Sequence, residues 1–198
     1  MPRAHRIQAP DLLYHVGSRG VERQPIFGRI PFDRDHFLTL LGETVKRHRW
    51  NLHAYCLMGN HFHLVLDTPE SNLSAGMQYL KGIHAQWFNR FKPREGTLFE
   101  RRFWYRIAAS EAYALELARY VALNPVRAGF VSSPEEWPWS SYAATAGLER
   151  PPAFLHPTHV LNTFGGGLDA RARFVAFVRE GLTVTTLSEG AGGVSTGV

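Results

Sequence analysis

Apolar residues along the chain recur with a period of two in four short stretches and with helical spacing in three longer ones. From Leu12 to Ser18 the pattern predicts a strand that closes at Gly20, where a turn forms without a Cβ clash. Behind Asp33, a candidate N-cap, Phe37, Leu40, Leu41, Val45 and His48 form one stripe of a first helix. Leu52–Met58 and His61–Leu66 are apolar-rich runs separated by Gly59 and Asn60, residues that tolerate positive φ and suit a tight hairpin. Ser71 or Asn72 is placed to cap a second helix, with Leu73, Met77, Leu80, His84, Trp87 and Phe91 along one side and Pro93 and Gly96 at its end. Phe103–Ala108 predicts a fourth strand. Ser110 then caps a third helix through Ala114, Leu117, Ala118 and Val121, limited by Pro125 because a residue before proline is biased away from the helical region.

The order strand, helix, strand, strand, helix, strand is that of the split βαβ, ferredoxin-like plan. The expected fold is therefore α+β: an antiparallel sheet with two helices on one face, plus an extra helix and a C-terminal extension. The main domain is expected over residues 1–145. An extension over 146–182 follows, with linker signals at Pro151, Pro152 and Gly165–Gly167 and a short helix over Arg171–Leu182 resting on Phe174, Val175 and Val178. The Gly-, Ser- and Thr-rich stretch over 183–198 has too little apolar mass to fold and is expected to be disordered.

Composition narrows the function classes. With 198 residues and 44% hydrophobic content the chain can bury a core, and its single cysteine, Cys56, excludes an internal disulfide framework and a cysteine-based zinc site. No apolar run serves as a signal-peptide core or approaches bilayer-spanning length, so a soluble, cytoplasmic protein is expected. A formal net charge of +5 favours a polyanionic partner. The segment from Lys81 to Arg106 concentrates that charge, with Lys81, Arg90, Lys92, Arg94, Arg101, Arg102 and Arg106 against Glu95 and Glu100. Interleaved with it are Trp87, Phe88, Phe91, Phe99, Phe103, Trp104 and Tyr105, most of which belong to a core, leaving one or two to stack on unpaired bases.

The sharpest local signal is His61-Phe62-His63, since alternate side chains of a strand share a face. Two surface histidines on a strand are the bland explanation. The apolar parity of Phe62, Leu64 and Leu66, which aims the imidazoles away from that core, favours a metal about equally. No Cys cluster or His-Glu-x-x-His helix points to a zinc enzyme. Two imidazoles with an amide or carboxylate oxygen and open positions suit Mg²⁺ or Mn²⁺ holding a phosphate oxygen. Asn124 is a candidate for that oxygen. It lies four residues after Tyr120, so both project from one face if the helix persists to its last turn. On spacing alone Tyr120, one of seven tyrosines, reads as a core residue; its pairing with Asn124 and a metal site elsewhere favour a nucleophile, whose phenol of pKa about 10 needs activation.

Five stretches resemble the REP-associated tyrosine transposases, relatives of the single-tyrosine insertion-sequence transposases within the HUH endonucleases. They are Tyr14-His-Val-Gly-Ser-Arg-Gly20, Ala54-Tyr-Cys-Leu-Met-Gly-Asn-His-Phe-His-Leu-Val65, Leu98-Phe-Glu-Arg-Arg-Phe103, Arg119-Tyr-Val-Ala-Leu-Asn-Pro-Val-Arg-Ala-Gly129 and Trp137-Pro-Trp-Ser-Ser-Tyr142. The resemblance implies a histidine pair at His61 and His63, a third metal ligand at Asn124 and a nucleophile at Tyr120. It implies cleavage of single-stranded DNA beside an imperfect hairpin, such as repetitive extragenic palindromes form. The product would be a 5′-phosphotyrosine and a free 3′-hydroxyl, in a bacterial, nucleoid-associated protein. Arg19, Arg23, Lys81, Arg101 and Arg102 are candidate phosphate contacts. Two rivals stay open: a nucleic-acid-binding regulator without catalysis, and a metallohydrolase that attacks phosphodiesters with activated water.

Overall fold

The computed structural model describes residues 9–188 apart from positions 11 and 109. Its elements are β1 (Leu13–Arg19), α1 (Asp33–His48), β2 (Asn51–Leu57), β3 (His61–Asp67), α2 (Leu73–Phe91), β4 (Trp104–Ile107), α3 (Glu111–Arg127), α4 (Tyr142–Ala146), α5 (Thr158–Asn162) and α6 (Ala170–Ser188). The four strands form one antiparallel sheet in the order β2-β3-β1-β4, the ferredoxin-like arrangement that the element order predicts. Among the described residues no helix is long and apolar enough to cross a membrane.

Strand alternation gives this sheet two unlike faces. Tyr14, Val16, Leu57, Phe62, Leu64 and Leu66 point to one side, where they bury against Phe37, Leu40 and Leu41 of α1 and Leu73, Met77 and Leu80 of α2. Each such side chain stabilises the fold by about 1.5–3 kcal/mol relative to exposure. The other side carries His15, Gly17 and Arg19 of β1 and His61, His63 and Val65 of β3, and α3 crosses it. Val121 of α3 closes a small cluster there with Ala54, Cys56, Met58 and Val65.

Several local devices differ from those expected. Gly20 does make room, since a Cβ there would lie 2.0 Å from the carbonyl oxygen of Gln24, and the chain then turns through Val21–Arg23 in a single 3-10 turn. Neither Gly59 nor Asn60 adopts positive φ. Their work is to tie loops: the Gly59 carbonyl accepts from the backbone N–H groups of Ile26 and Phe27, and Asn60 Nδ2 donates to the Arg23 carbonyl. Asp33 does not cap α1; it opens the helix, and its Oδ2 accepts from the N–H groups of Arg29 and Ile30 in the preceding loop. Asn72 stands at the N-cap of α2 without capping it, because its amide is engaged by Trp50 Nε1 and the His48 carbonyl. Ser110 caps α3 as expected, accepting from the N–H of Tyr113. Pro125 does not end α3, which runs on to Arg127. In the last turn a proline costs one hydrogen bond, and the Ala128 N–H still closes onto the Asn124 carbonyl.

The C-terminal extension packs on the rest of the chain. Phe174 and Val178 of α6 and Val160 of α5 share a cluster with Ala118, Ala122 and Leu123 on the outer side of α3. The chain around Trp139–Ser141 lies along the outer edge of β2, exchanging bonds through Leu57 N–H to the Trp139 carbonyl and Ser141 N–H to the Tyr55 carbonyl. His156 N–H then donates to the Leu52 carbonyl. α6 is also longer than expected: Thr183–Ser188, read from composition as disordered, continue it, and residues 189–198 lie outside the described residues.

Candidate active site

The sheet face under α3 opens into a cavity of about 750 Å³ walled by β1, β3, β4 and α3. His61 and His63 lie on its floor with ring centroids 4.9 Å apart, and both share the face that strand parity assigns them. Tyr120 projects from α3 into the same space, 38% exposed, with its ring 5.4 Å from that of His63. One turn on, Asn124 is buried, and its Nδ2 donates to His63 Nε2 over 3.3 Å. The helix persists past Pro125, so Tyr120 and Asn124 do share a face. The four residues singled out in the sequence converge from two elements that are distant in the chain.

The protonation of the imidazoles follows from their partners. His61 Nδ1 meets Asn60 Oδ1 at 2.6 Å. Asn60 Nδ2 is already donating, so the oxygen can only accept, His61 carries its proton on Nδ1, and its Nε2 is a lone pair. His63 Nδ1 lies 3.0 Å from His15 Nε2. With Asn124 donating to His63 Nε2, the His63 proton sits on Nδ1 and is given to His15. Burial, more than the nearby Arg19 charge, lowers the His61 pKa to about 4; burial, then the neighbouring His61 and His15 and the Arg19 charge, hold His63 well below the usual histidine range; burial and the Arg106 charge bring His15 to about 4. All three rings are neutral at physiological pH. The His63 Nε2 lone pair therefore faces the Asn124 amide, and His61 and His63 are each fixed from behind by an acceptor on Nδ1, an arrangement that metal-binding histidines commonly use.

A divalent cation fits this set: a half-turn of the Asn124 amide, which exchanges its N and O at no cost in shape, would present Oδ1 beside His63 Nε2. Among the described residues no group of three His, Cys, Asp or Glu side chains is arranged to hold a metal. The donors of the candidate set are all neutral, so a bound cation would keep its full charge and favour an anionic oxygen at its open positions.

A family model described as Transposase IS200 like matches residues 8–124, more than half of the chain. The chain belongs to this family. Similarity extends to a Haemophilus influenzae protein bearing the name of a REP-associated tyrosine transposase, 27% identical over 119 residues, which span 54% of this chain and 68% of that protein. A REP-associated tyrosine transposase solved bound to a REP hairpin shares the fold with a TM-score of 0.62, over 77% of this chain and 89% of its own, at 15% identity. A transposase structure from Deinococcus radiodurans is a weaker likeness, 19% identical with a TM-score of 0.42 over 61% of this chain and 94% of its own. The family resemblance read from the five sequence stretches is thus borne out.

The candidate phosphate contacts of this IS200-like transposase divide into three groups. Arg19, paired across from His61 in the β1–β3 register, and Arg101 line the cavity. Arg23 and Arg102 are exposed outside it. Lys81 is a correction: it is 7% exposed, its ammonium donates to the Arg101 carbonyl and lies over the Phe99 ring, so it shapes the loop and is not offered to a phosphate. Sequence reasoning missed Arg106 and Arg127, which also line the cavity, the latter with its guanidinium 5.8 Å from the Tyr120 ring centre. It missed His15 and the second use of Asn60 as well. Strand parity put His15 on the face of Arg19, but only the pairing of Gly17 with His63 brings it beside the histidine pair.

Proposed function

We propose that this transposase cuts and rejoins single-stranded DNA beside REP-like hairpins through a covalent 5′-phosphotyrosine on Tyr120, with Mg²⁺ or Mn²⁺ bound by His61, His63 and Asn124. The observation that carries the reading is the convergence on one cavity of a half-exposed tyrosine, two imidazoles locked with lone pairs forward, and the guanidinium groups of Arg19, Arg101, Arg106 and Arg127. The cation would polarise the scissile phosphate as a Lewis acid and stabilise the charge that develops on it. The arginines draw the DNA backbone in and hold the phosphate in reach of the phenol. Tyr120 Oη attacks phosphorus and loses its proton; the P–O3′ bond breaks, and the departing oxygen takes a proton to become a 3′-hydroxyl. Attack by a 3′-hydroxyl on the tyrosyl ester reverses the step, re-forms a phosphodiester and frees the phenol, so one energy-rich bond is conserved throughout.

Incubating the protein with end-labelled hairpin DNA and Mn²⁺, then denaturing it, tests the assignment. The expected result is a covalent protein–DNA band with the wild type and none with Tyr120→Phe, which still retards the hairpin in a native gel. An adduct that survives Tyr120→Phe and disappears with Tyr113→Phe would move the nucleophile about two turns up α3, where Tyr113 also lines the cavity. Cleavage without any adduct would favour a metallohydrolase, and hairpin retardation without cleavage a regulator.

A further inference from the structure

The basic stretch around α2 and β4 interleaves seven aromatic side chains with its cations, and their surroundings separate them. Phe88, Phe99 and Phe103 are buried in the core on the α1–α2 side of the sheet. Tyr105 packs on Tyr14 and Phe103 on that same side. Trp87 is stacked flat on His36 at 4.2 Å, and Phe91 leans on Trp87, both remote from the cavity. Phe103 and Tyr105 reach the cavity edge as well, but among the three Trp104 is the most exposed, at 37%, and the one whose ring lies beside the histidines. Its ring centre is 4.8 Å from that of His15 and 5.6 Å from that of His63.

The backbone is shaped to admit this indole. Trp104 pairs with Gly17 across β4 and β1, and a Cβ on Gly17 would come within 2.3 Å of the indole Cζ2 and 2.7 Å of the Phe62 carbonyl oxygen. Without a side chain at position 17 the indole lies down across β1 toward the histidines. β4 is the edge strand of the sheet, so beyond Trp104 no further strand covers the ring. Arg106, two residues along on the same face, lines the cavity as well, its Cα one strand repeat (roughly 6–7 Å) from that of Trp104, so a guanidinium and the indole are offered to the same cavity. Burying a base on an aromatic surface needs an unpaired base and gives affinity with little dependence on salt, whereas the arginine contact to phosphate is salt-dependent.

We propose that Trp104 is the stacking platform for an unpaired nucleobase adjoining the scissile phosphate, with Arg106 taking a phosphate next to it, and that Gly17 is required to leave room for this subsite. The proposal rests on the reading of the cavity as a DNA-cleaving site and names the subsite that positions the strand there.

The test is a binding matrix by fluorescence anisotropy, using labelled single-stranded hairpins with flanking nucleotides. In one oligonucleotide series each flanking base in turn is replaced by an abasic site; the proteins are wild type, Trp104→Ala and Trp104→Phe, each checked for a native thermal transition. Wild type is expected to lose on the order of tenfold in affinity at one flanking position, or at two adjacent ones. Trp104→Ala loses a similar factor on the intact oligonucleotide and little more when that same base is absent, while Trp104→Phe keeps most of the affinity. The factor persists when salt is raised. Unchanged affinity in Trp104→Ala, or a loss that simply adds to that of every abasic position, would overturn the stacking role and leave the assignment of Tyr120 intact. Failure of the wild type to bind any single-stranded hairpin would overturn both.

Discussion

The two faces of the same sheet, built from alternate residues of the same strands, are under different demands. On the side of α1 and α2, Phe62, Leu64 and Leu66 are wholly buried among mainly apolar and aromatic side chains, with Ser18 the polar partner opposite Phe62. On the side of α3, His61 and His63 occupy the intervening positions, and apolar cover stops at Val121 and Val65, leaving a cavity toward β4. Phe62 sits between the two histidines in sequence and faces the other way. One strand can thus be fixed rigidly from behind while it offers lone pairs in front, and the stability of the fold does not depend on the groups proposed for its chemistry.

That separation is open to attack from both sides. The largest effect is expected on the open face: His61→Ala and His63→Ala should each abolish DNA cleavage, as EDTA does to the wild type, with Mn²⁺ restoring only the wild type. Unfolding midpoints in denaturant should move little, and full cleavage by both variants in chelator would end the metal assignment. On the closed face, Phe62→Ala should cost about 3–5 kcal/mol of stability by urea titration. At low temperature, where the variant is still folded, its Mn²⁺ affinity should stay near that of the wild type; a lost metal site in the folded variant would show that the faces are not independent. The smallest effect should come from His15, which lines the cavity but reaches the proposed metal ligands only through His63 Nδ1. His15→Ala should weaken Mn²⁺ binding, read by titration against a competing chelator, by roughly 10–100-fold. His15→Asn, which keeps an acceptor in reach, should recover part of that loss, whereas a purely steric role would not distinguish the two.

These contrasts also mark what the sequence reveals. Parity in β3 and helical spacing in α1, α2 and α3 are local properties, so the sheet order, the orientation of the histidine pair and the shared face of Tyr120 and Asn124 were legible from the residues. Capping residues misled because a short polar side chain at a helix start has other uses: Asp33 binds back to its own loop, and Asn72 reaches across to Trp50. Lys81 looked like a surface cation, yet it stands four residues after Met77 and directly after Leu80 on the buried stripe of α2, where its stem packs and its ammonium finds a carbonyl. His15 and Trp104 were beyond reach for a different reason. Their importance lies in the register at which β1 meets β3 and β4, and nothing within a few residues of either encodes that register. The docking of α5 and α6 against α3 is likewise a matter of contacts between segments far apart in the chain.

The helix that carries Tyr120 is covered on both sides, by the sheet through Val121 and by α6 through Ala118, Ala122 and Leu123. A fragment cut after residue 145 would keep each residue of the candidate site and still bare that outer apolar strip, along with the part of the β2 edge that His156 occupies. Exposed strips and open strand edges are where chains stick to one another. Such a fragment is expected to fail in the test tube by precipitating, and the extension is best regarded as the component that keeps the helix of Tyr120 soluble.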